Sequence, residues 1–496
     1  MQAFVAITIG NSQARAAVYE NGQVQLVPLE EGEHSMPSAV LLHRLREVGK
    51  YAYLYSGTDP NLLVMNINRL LGRKYSEIQA DLPNLSFSVE NESNRIRLID
   101  WIGSTYSPIE LYAMVLRKLH QATERYLKRP VTQAVIAVQG SFDDFQRRSV
   151  RKAAESVFQQ VKLINEPTAA VLAMGNTHQI LTGQQVMTVD LGAGKCEVAV
   201  VSNSNSKLRI KAITGDTHLG SNDINYLIFN YLARKFEQNY QQPLIGDSVM
   251  AQHEILMAIE QAKQELEASN SAEVNVPFVN FDKFGQALHL QATITSQQVK
   301  ELAQGLLTRI KRLINGCLLE ADRPRLDQVF LLGGGTKLPS VIELVGNTVR
   351  QRPVRAKNRD ELAVIGAALY GANLLGLAEV MEIEDVTTHS LGITTYTGTM
   401  GFVLKRQAIV PALNTKRFLT AQNNQPAVRI EIREGEEREA NSNKLIGQFD
   451  LPLTANLPRN SPIDVTIGKD DDGIILVRAQ DCASGRAREI SINYDL

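Results

Sequence analysis

The hydrophobic pattern of this chain changes rhythm near residue 380. Before that point, short apolar runs alternate with stretches of helical period. Residues 4–9 read as a buried strand, Gly10 as a turn and residues 14–19 as the returning strand. In residues 108–126, apolar side chains recur at Ile109, Leu111, Met114, Val115, Leu116 and Leu119, which predicts an amphipathic helix. Residues 135–138 predict a short buried strand, 145–157 a basic helix, 186–201 a second strand–glycine–strand unit and 253–267 a helix polar on one face. Residues 328–332 predict a strand running into Gly333-Gly334-Gly335. Strands and helices in alternation predict α/β architecture.

After residue 380 the period becomes two. Val428-Arg429-Ile430-Glu431-Ile432-Arg433 alternates strictly, and residues 463–467 and 474–477 flank a hairpin turn, Lys469-Asp470-Asp471-Asp472-Gly473. These signals predict an all-β sandwich domain, with a polar boundary at residues 379–389. The uncharged run 362–378 is shorter than the ~20 residues a membrane span needs. It is rich in Ala and Gly, contains Asn373 and is flanked by Asp360, Glu361 and Glu379, which predicts a tightly packed buried helix.

Composition narrows the function classes. Among 496 residues, Lys+Arg is 52 and Asp+Glu is 53, a net charge of −1, which argues against bulk nucleic acid or an acidic membrane as partner. Cys196, Cys317 and Cys482 form no CxxC, so a disulfide framework and a Cys-based zinc site are excluded, and a reducing cytoplasm is expected. The N-terminus lacks the basic region and long apolar run of a signal peptide.

An internal repeat gives the first functional signal. VAITIGNSQARAAV and MTVDLGAGKCEVAV share one template, with Gly10 aligned to Gly192. Two such hairpins facing across a cleft could cradle phosphates with the backbone of Gly10, Asn11, Ser12, Gly192, Ala193 and Gly194, because glycine admits close approach.

The strings Asn165-Glu166-Pro167-Thr168-Ala169-Ala170, Gly215-Asp216-Thr217-His218-Leu219-Gly220, Asp190-Leu191-Gly192-Ala193-Gly194, Leu332-Gly333-Gly334-Gly335-Thr336-Lys337-Leu338-Pro339 and Asn423-Asn424-Gln425-Pro426-Ala427-Val428 resemble motifs of the heat-shock protein 70 (DnaK-like) chaperones. The resemblance runs from about residue 3 to the C-terminus. It implies an actin-like (ribonuclease-H-like, duplicated) nucleotide-binding domain of two lobes over 1–378, a linker at 379–389 and a peptide-binding β-sandwich over 390–496. The chain stops about where the sandwich ends, so no helical lid is expected.

By the same resemblance, ATP or ADP is the ligand. Glu166 and Asp190 are the expected catalytic carboxylates, Asp190 also serving the metal. Gly220, Glu260, Lys263, Glu267, Gly333, Gly334, Lys337 and Asp360 are expected around the nucleotide. The departures lie where the chemistry is. Thr8 stands for a metal-organising aspartate, Asn68 for a catalytic lysine, and Lys195 for a threonine near the γ-phosphate, with Glu197 two residues on. Mg²⁺ binding is expected to be weakened. Lys195 either neutralises phosphate without metal, or plugs the site, or is simply solvated as turn charges usually are. The balance favours nucleotide binding with slow or absent hydrolysis, the alternative being a non-hydrolysing holdase or scaffold.

In the sandwich, Ile393, Thr395, Tyr396, Phe418, Ala421, Val428 and Ile430 match positions that line the family's peptide site, so extended segments of unfolded proteins are the expected partners. A J-domain co-chaperone and a nucleotide-exchange factor are further partners the resemblance implies. The family's linker is apolar. Here Glu382 and Glu384 are expected to resist docking on the nucleotide domain, and interdomain coupling is expected to be weakened.

Overall fold

The structure, a computed structural model, describes residues 3–44, 46–55, 60–79, 81–82, 85, 87–204, 207–245, 249–485 and 487–490. Two sheets organise the first 380 residues, and they repeat one plan. In the first, Gln160–Asn165, Gln133–Val138 and Phe4–Ile9 run parallel, and Gln13–Glu20 and Gln23–Leu26 follow antiparallel. In the second, Val354–Arg355, Gln328–Leu332 and Gln185–Leu191 run parallel, and Cys196–Ser204 and Lys207–Asp216 follow antiparallel.

Both faces of each sheet are covered, which is why the central strands read as unbroken apolar runs. Val5, Ile7 and Ile9 pack toward the helix Pro108–Leu127. Phe4 and Ala6 point the other way, into a cluster with Val364, Ala367 and Ala368 of the helix Leu362–Leu374. The uncharged run is therefore a core helix. It crosses Glu166–Asn176 so closely that a Cβ on Gly366 would lie 1.7 Å from the Ala169 carbonyl oxygen. No helix among the described residues is long and apolar enough to cross a membrane.

Local signals set the helix starts. Ser107 caps Pro108–Leu127 and forms a capping box with Glu110. Asp143 accepts from the Gln146 amide at 3.0 Å, so the basic helix spans Asp144–Glu155, shifted toward the N-terminus from the expected 145–157.

The C-terminal region is a sandwich of two four-stranded antiparallel sheets. One is ordered Met400–Leu404, Leu391–Thr394, Ala427–Glu434, Lys444–Pro452, and the other Ala412–Leu419, Pro462–Lys469, Ile475–Asp481, Ala487–Ile490. Leu391, Ile432 and Ile446 of the first meet Val465, Ile467 and Val477 of the second in one core.

The linker corrects the sequence expectation. Glu382–Val386 is a strand, paired in parallel with Lys207–Asp216 at the edge of the second sheet and antiparallel with Ile409–Val410 of the sandwich. Its acidic residues do not prevent docking because basic partners meet them. Lys207 Nζ lies 2.9 Å from Glu382 and 2.7 Å from Glu384, and Arg209 Nε lies 2.5 Å from Glu384. Ile383 packs on the second sheet's core while the Glu382 side chain stays outside. The next residue, Asp385, accepts hydrogen bonds from Thr168 Oγ1 at 2.5 Å and Asn165 Nδ2 at 2.8 Å.

The helix Asp144–Glu155 completes the docking. Asp144 accepts from the Ile475 amide at 2.7 Å, and Arg148 donates to the Ile475 carbonyl at 2.8 Å. Arg147, buried, donates to Asn165 and to the carbonyls of Phe142 and Gly140. Asp472, at the tip of the predicted hairpin turn, accepts from the Leu163 amide at 2.9 Å and pairs with Arg151.

Candidate nucleotide site

The repeated hairpins meet face to face. Each turn is closed by the same hydrogen bond, Gly10 N–H to Gln13 O and Gly192 N–H to Lys195 O, both 2.9 Å. Gly10 and Gly192 thus spend their amides on the turn, and Gly220 spends its own on Asp223 at 2.7 Å. The amides of Asn11, Ser12, Ala193 and Gly194 donate to no group among the described residues. These four are the donors available to an anion.

The turns also touch. A Cβ on Gly194 would lie 1.7 Å from Asn11 Nδ2, so any larger residue there would have to displace the Asn11 side chain. Asn11 is buried, and neither polar atom of its side chain has a partner. Gly333, at φ 73°, brings the end of Gln328–Leu332 against the same hairpin, where a Cβ would meet Asp190 Oδ1 at 2.4 Å. Arg69 bridges the halves, donating to the Gly194 carbonyl at 3.2 Å and to Asp223 at 2.8 Å. Glycine cradle, free amides and an orphaned amide side chain fit a phosphate chain.

Lys195 stands at the centre. Of the three readings left open for it, the solvated one is overturned, since Lys195 is 8% exposed. Its ammonium lies 2.5 Å from Glu166 and 3.1 Å from Asp190, and contacts Glu197. Burial penalises this charge, but Asp190, Glu166 and Glu197 outweigh the penalty and hold Lys195 well above its ordinary pKa. Burial pushes Glu166 up to about 7, with Lys195 opposing and Glu197 adding to the shift.

Carboxylate oxygens of Glu166, Asp190 and Glu197 lie within 4.8 Å of one another, the spacing of a metal site. An ammonium already fills the space between them. With Lys195 in place, these residues do not fit a Mg²⁺ ion, which needs oxygen ligands and bound water.

Glu197 is the residue that sequence reasoning underrated. It is 1% exposed and accepts from the Ser141 amide at 3.0 Å and hydroxyl at 3.2 Å. Its position two residues after Lys195 was the available signal. Asn68 is also buried, donating to the Ile9 carbonyl at 2.6 Å on the strand that carries Thr8.

The expected adenosine side is partly assembled. Lys263, buried, bonds the Ser221 carbonyl at 3.0 Å and Glu260 at 2.8 Å, and Glu260 also accepts from Asn225. Lys337 lies 3.7 Å from Glu267. Gly334 has open space where a Cβ would project. Asp360 is exposed and faces Arg359 at 4.0 Å, and no hydrogen bond or ion pair among the described residues ties it to that wall.

The expected peptide residues divide. Ile393 and Ile430 are 5% and 1% exposed and belong to the sandwich core, so they line no open surface. Phe418 and Val428 are half-buried at its edge. Thr395 and Phe418 close over Gly401, Ala421 donates its amide to Gln425, and Tyr396 is 86% exposed at a turn.

A family model described as Hsp70 protein matches residues 4–495, nearly the whole chain, and the protein belongs to the Hsp70 family.

Proposed function

We propose that this protein is a nucleotide-binding chaperone that holds extended apolar polypeptide segments and hydrolyses ATP slowly or not at all. Family membership supports the chaperone function and nucleotide binding. The observation that carries the rest is the Lys195 ammonium enclosed by Glu166, Asp190 and Glu197. A fixed cation there fills the space between the carboxylates that would otherwise organise a hydrated metal, and it ties up Glu166, an expected catalytic carboxylate.

In this reading residues 1–378 form an actin-like domain of two lobes, a division supported by the matching strand plans of its sheets. Residues 379–389 are the linker and 390–496 the peptide-binding sandwich. Phosphates rest on the free amides of the two hairpins. The adenosine lies along Glu260, Lys263, Glu267, Gly333, Gly334 and Lys337. Phe418 and Val428 with Thr395, Tyr396 and Ala421 border the peptide site. Bound nucleotide then acts by setting how the sandwich docks, and a J-domain protein or exchange factor would act on that docking.

Calorimetry with ATP and ADP, with and without Mg²⁺, followed by single-turnover hydrolysis, tests the proposal. The expected result is nucleotide binding with little Mg²⁺ dependence and hydrolysis far slower than binding. Turnover stimulated strongly by peptide or by a J-domain protein would overturn it.

A further inference from the structure

A second site lies between the domains, on residues the nucleotide reading does not use. The first half of the chain and the sandwich together enclose a cavity of about 300 Å³, the low end of the range for small-molecule pockets. Its apolar walls come from both sides of the docking interface. Ile96, Pro108 and Ile109 belong to the first half, Phe145 is the residue by which the helix Asp144–Glu155 joins the sandwich core, and Leu445 belongs to the sandwich.

Its charge is one-sided. Arg73, Lys74, Arg95, Arg97 and Lys444 line it, against a single lining acid, Glu77. Arg73 and Lys444 share the same two carboxylates. Arg73 is 3.1 Å from Asp143 and 3.7 Å from Glu77, and Lys444 is 2.8 Å and 3.3 Å from them. Arg97 is paired with Glu92, and Lys74 has no ion-pair partner among the described residues.

Two donors beside the cavity are also unsatisfied. Arg73 Nε and Gln146 Nε2 are buried with no acceptor, although the same Gln146 amide accepts from Arg73 Nη2 at 3.3 Å. A buried donor without a partner asks for an acceptor. An apolar chamber with the unpaired Lys74 at its rim and the orphan N–H of Arg73 beside it matches a ligand with an apolar body and one acidic head.

We propose that this interdomain cavity binds a small amphipathic anion, an aromatic or branched apolar body carrying one carboxylate, sulfonate or phosphate group. Because its walls come from both domains, occupancy and docking strengthen one another.

The probe is 8-anilinonaphthalene-1-sulfonate, titrated by fluorescence into the full chain in the presence of excess extended apolar peptide. The expected result is one saturable site that survives the peptide. Its affinity should fall at least tenfold in Leu445→Trp, which fills the chamber, and severalfold in Lys74→Glu and Arg97→Glu, two charge changes at the rim. The neutral analogue N-phenyl-1-naphthylamine should bind at least tenfold more weakly. Equal sulfonate affinity in all three variants, complete displacement by peptide, or equal binding of the neutral analogue would each overturn the proposal.

Discussion

Lys195 and Asp190 face each other across the turn of the second hairpin, ammonium to carboxylate at 3.1 Å, and the same ammonium is 2.5 Å from Glu166. Among the described residues, the only cation set among these three acids is that lysine, which offsets part of their mutual repulsion. Lys195→Met should leave the buried Glu166 and Glu197 and the half-buried Asp190 in mutual repulsion and cost about 3–5 kcal/mol of stability in chelator, the scale for removing one partner of a buried pair. Millimolar Mg²⁺ or Mn²⁺ should restore much of the loss in the variant and change the parent protein little. Denaturant unfolding with and without the divalent ion reads both effects, and identical ion dependence in the two proteins would show that Lys195 does not hold the metal's place.

The docked linker should be sensitive to salt. Its acids meet Lys207 and Arg209 at the protein surface, where ions screen such pairs over roughly 8–10 Å. In Lys207→Glu/Arg209→Glu, four acids would crowd one strand pair. Protease cleavage within residues 379–389 should accelerate in that variant, and adding Glu382→Lys/Glu384→Lys should slow it again. Cleavage unaffected by either change would mean that the backbone pairing and Asp385 hold the linker alone.

The parts of this protein that were legible in the sequence were local. The repeat aligned Gly10 with Gly192, and the two turns carry the same closing hydrogen bond. Strand periodicity placed the hairpin around Asp472 correctly. What escaped depended on partners distant along the chain. Nothing around Glu382 and Glu384 announces Lys207 and Arg209, 175 residues away, so acids that looked hostile to docking were paired. For Lys195 the sequence leaves phosphate neutralisation, plugging and solvation all open, because a turn gives no sign of the Glu166 helix that meets it. Ile393 and Ile430 are expected at the peptide site from the resemblance, yet both are buried in the sandwich core, since alternation marks which face a residue takes and not what covers that face.

Asp472 should be the main tie between the sandwich and the first half. Its side chain is 4% exposed, accepts from the Leu163 amide and pairs with Arg151. Asp472→Ala strands a buried amide and a cation, and truncating one partner of such a pair typically costs about 2–5 kcal/mol. Combined with Arg151→Ala, the losses should fall short of additive, because both variants remove the same contact. A double-mutant cycle on domain docking, followed by distance between labels on the two domains, measures the coupling. Strict additivity would place the tie elsewhere.

Asp481 should govern the acid stability of the sandwich. Burial disfavours its charge, yet it accepts from Thr454 N at 3.0 Å and Oγ1 at 2.6 Å, Ala483 N at 2.9 Å and Ser484 Oγ at 2.7 Å. Those bonds hold its carboxyl down to about 2, below the ordinary 3.8. A carboxylate depressed by folding stabilises the fold above its unfolded pKa, and that contribution is lost as pH falls from about 4 toward 2. Asp481→Asn keeps the shape but weakens the acceptor, so the variant should be less stable by about 1–3 kcal/mol at neutral pH. Its stability should also fall less steeply below pH 4 than the parent's. Unfolding curves at pH 7, 4 and 3 compare the two slopes, and parallel slopes would show that another carboxylate sets the acid limit.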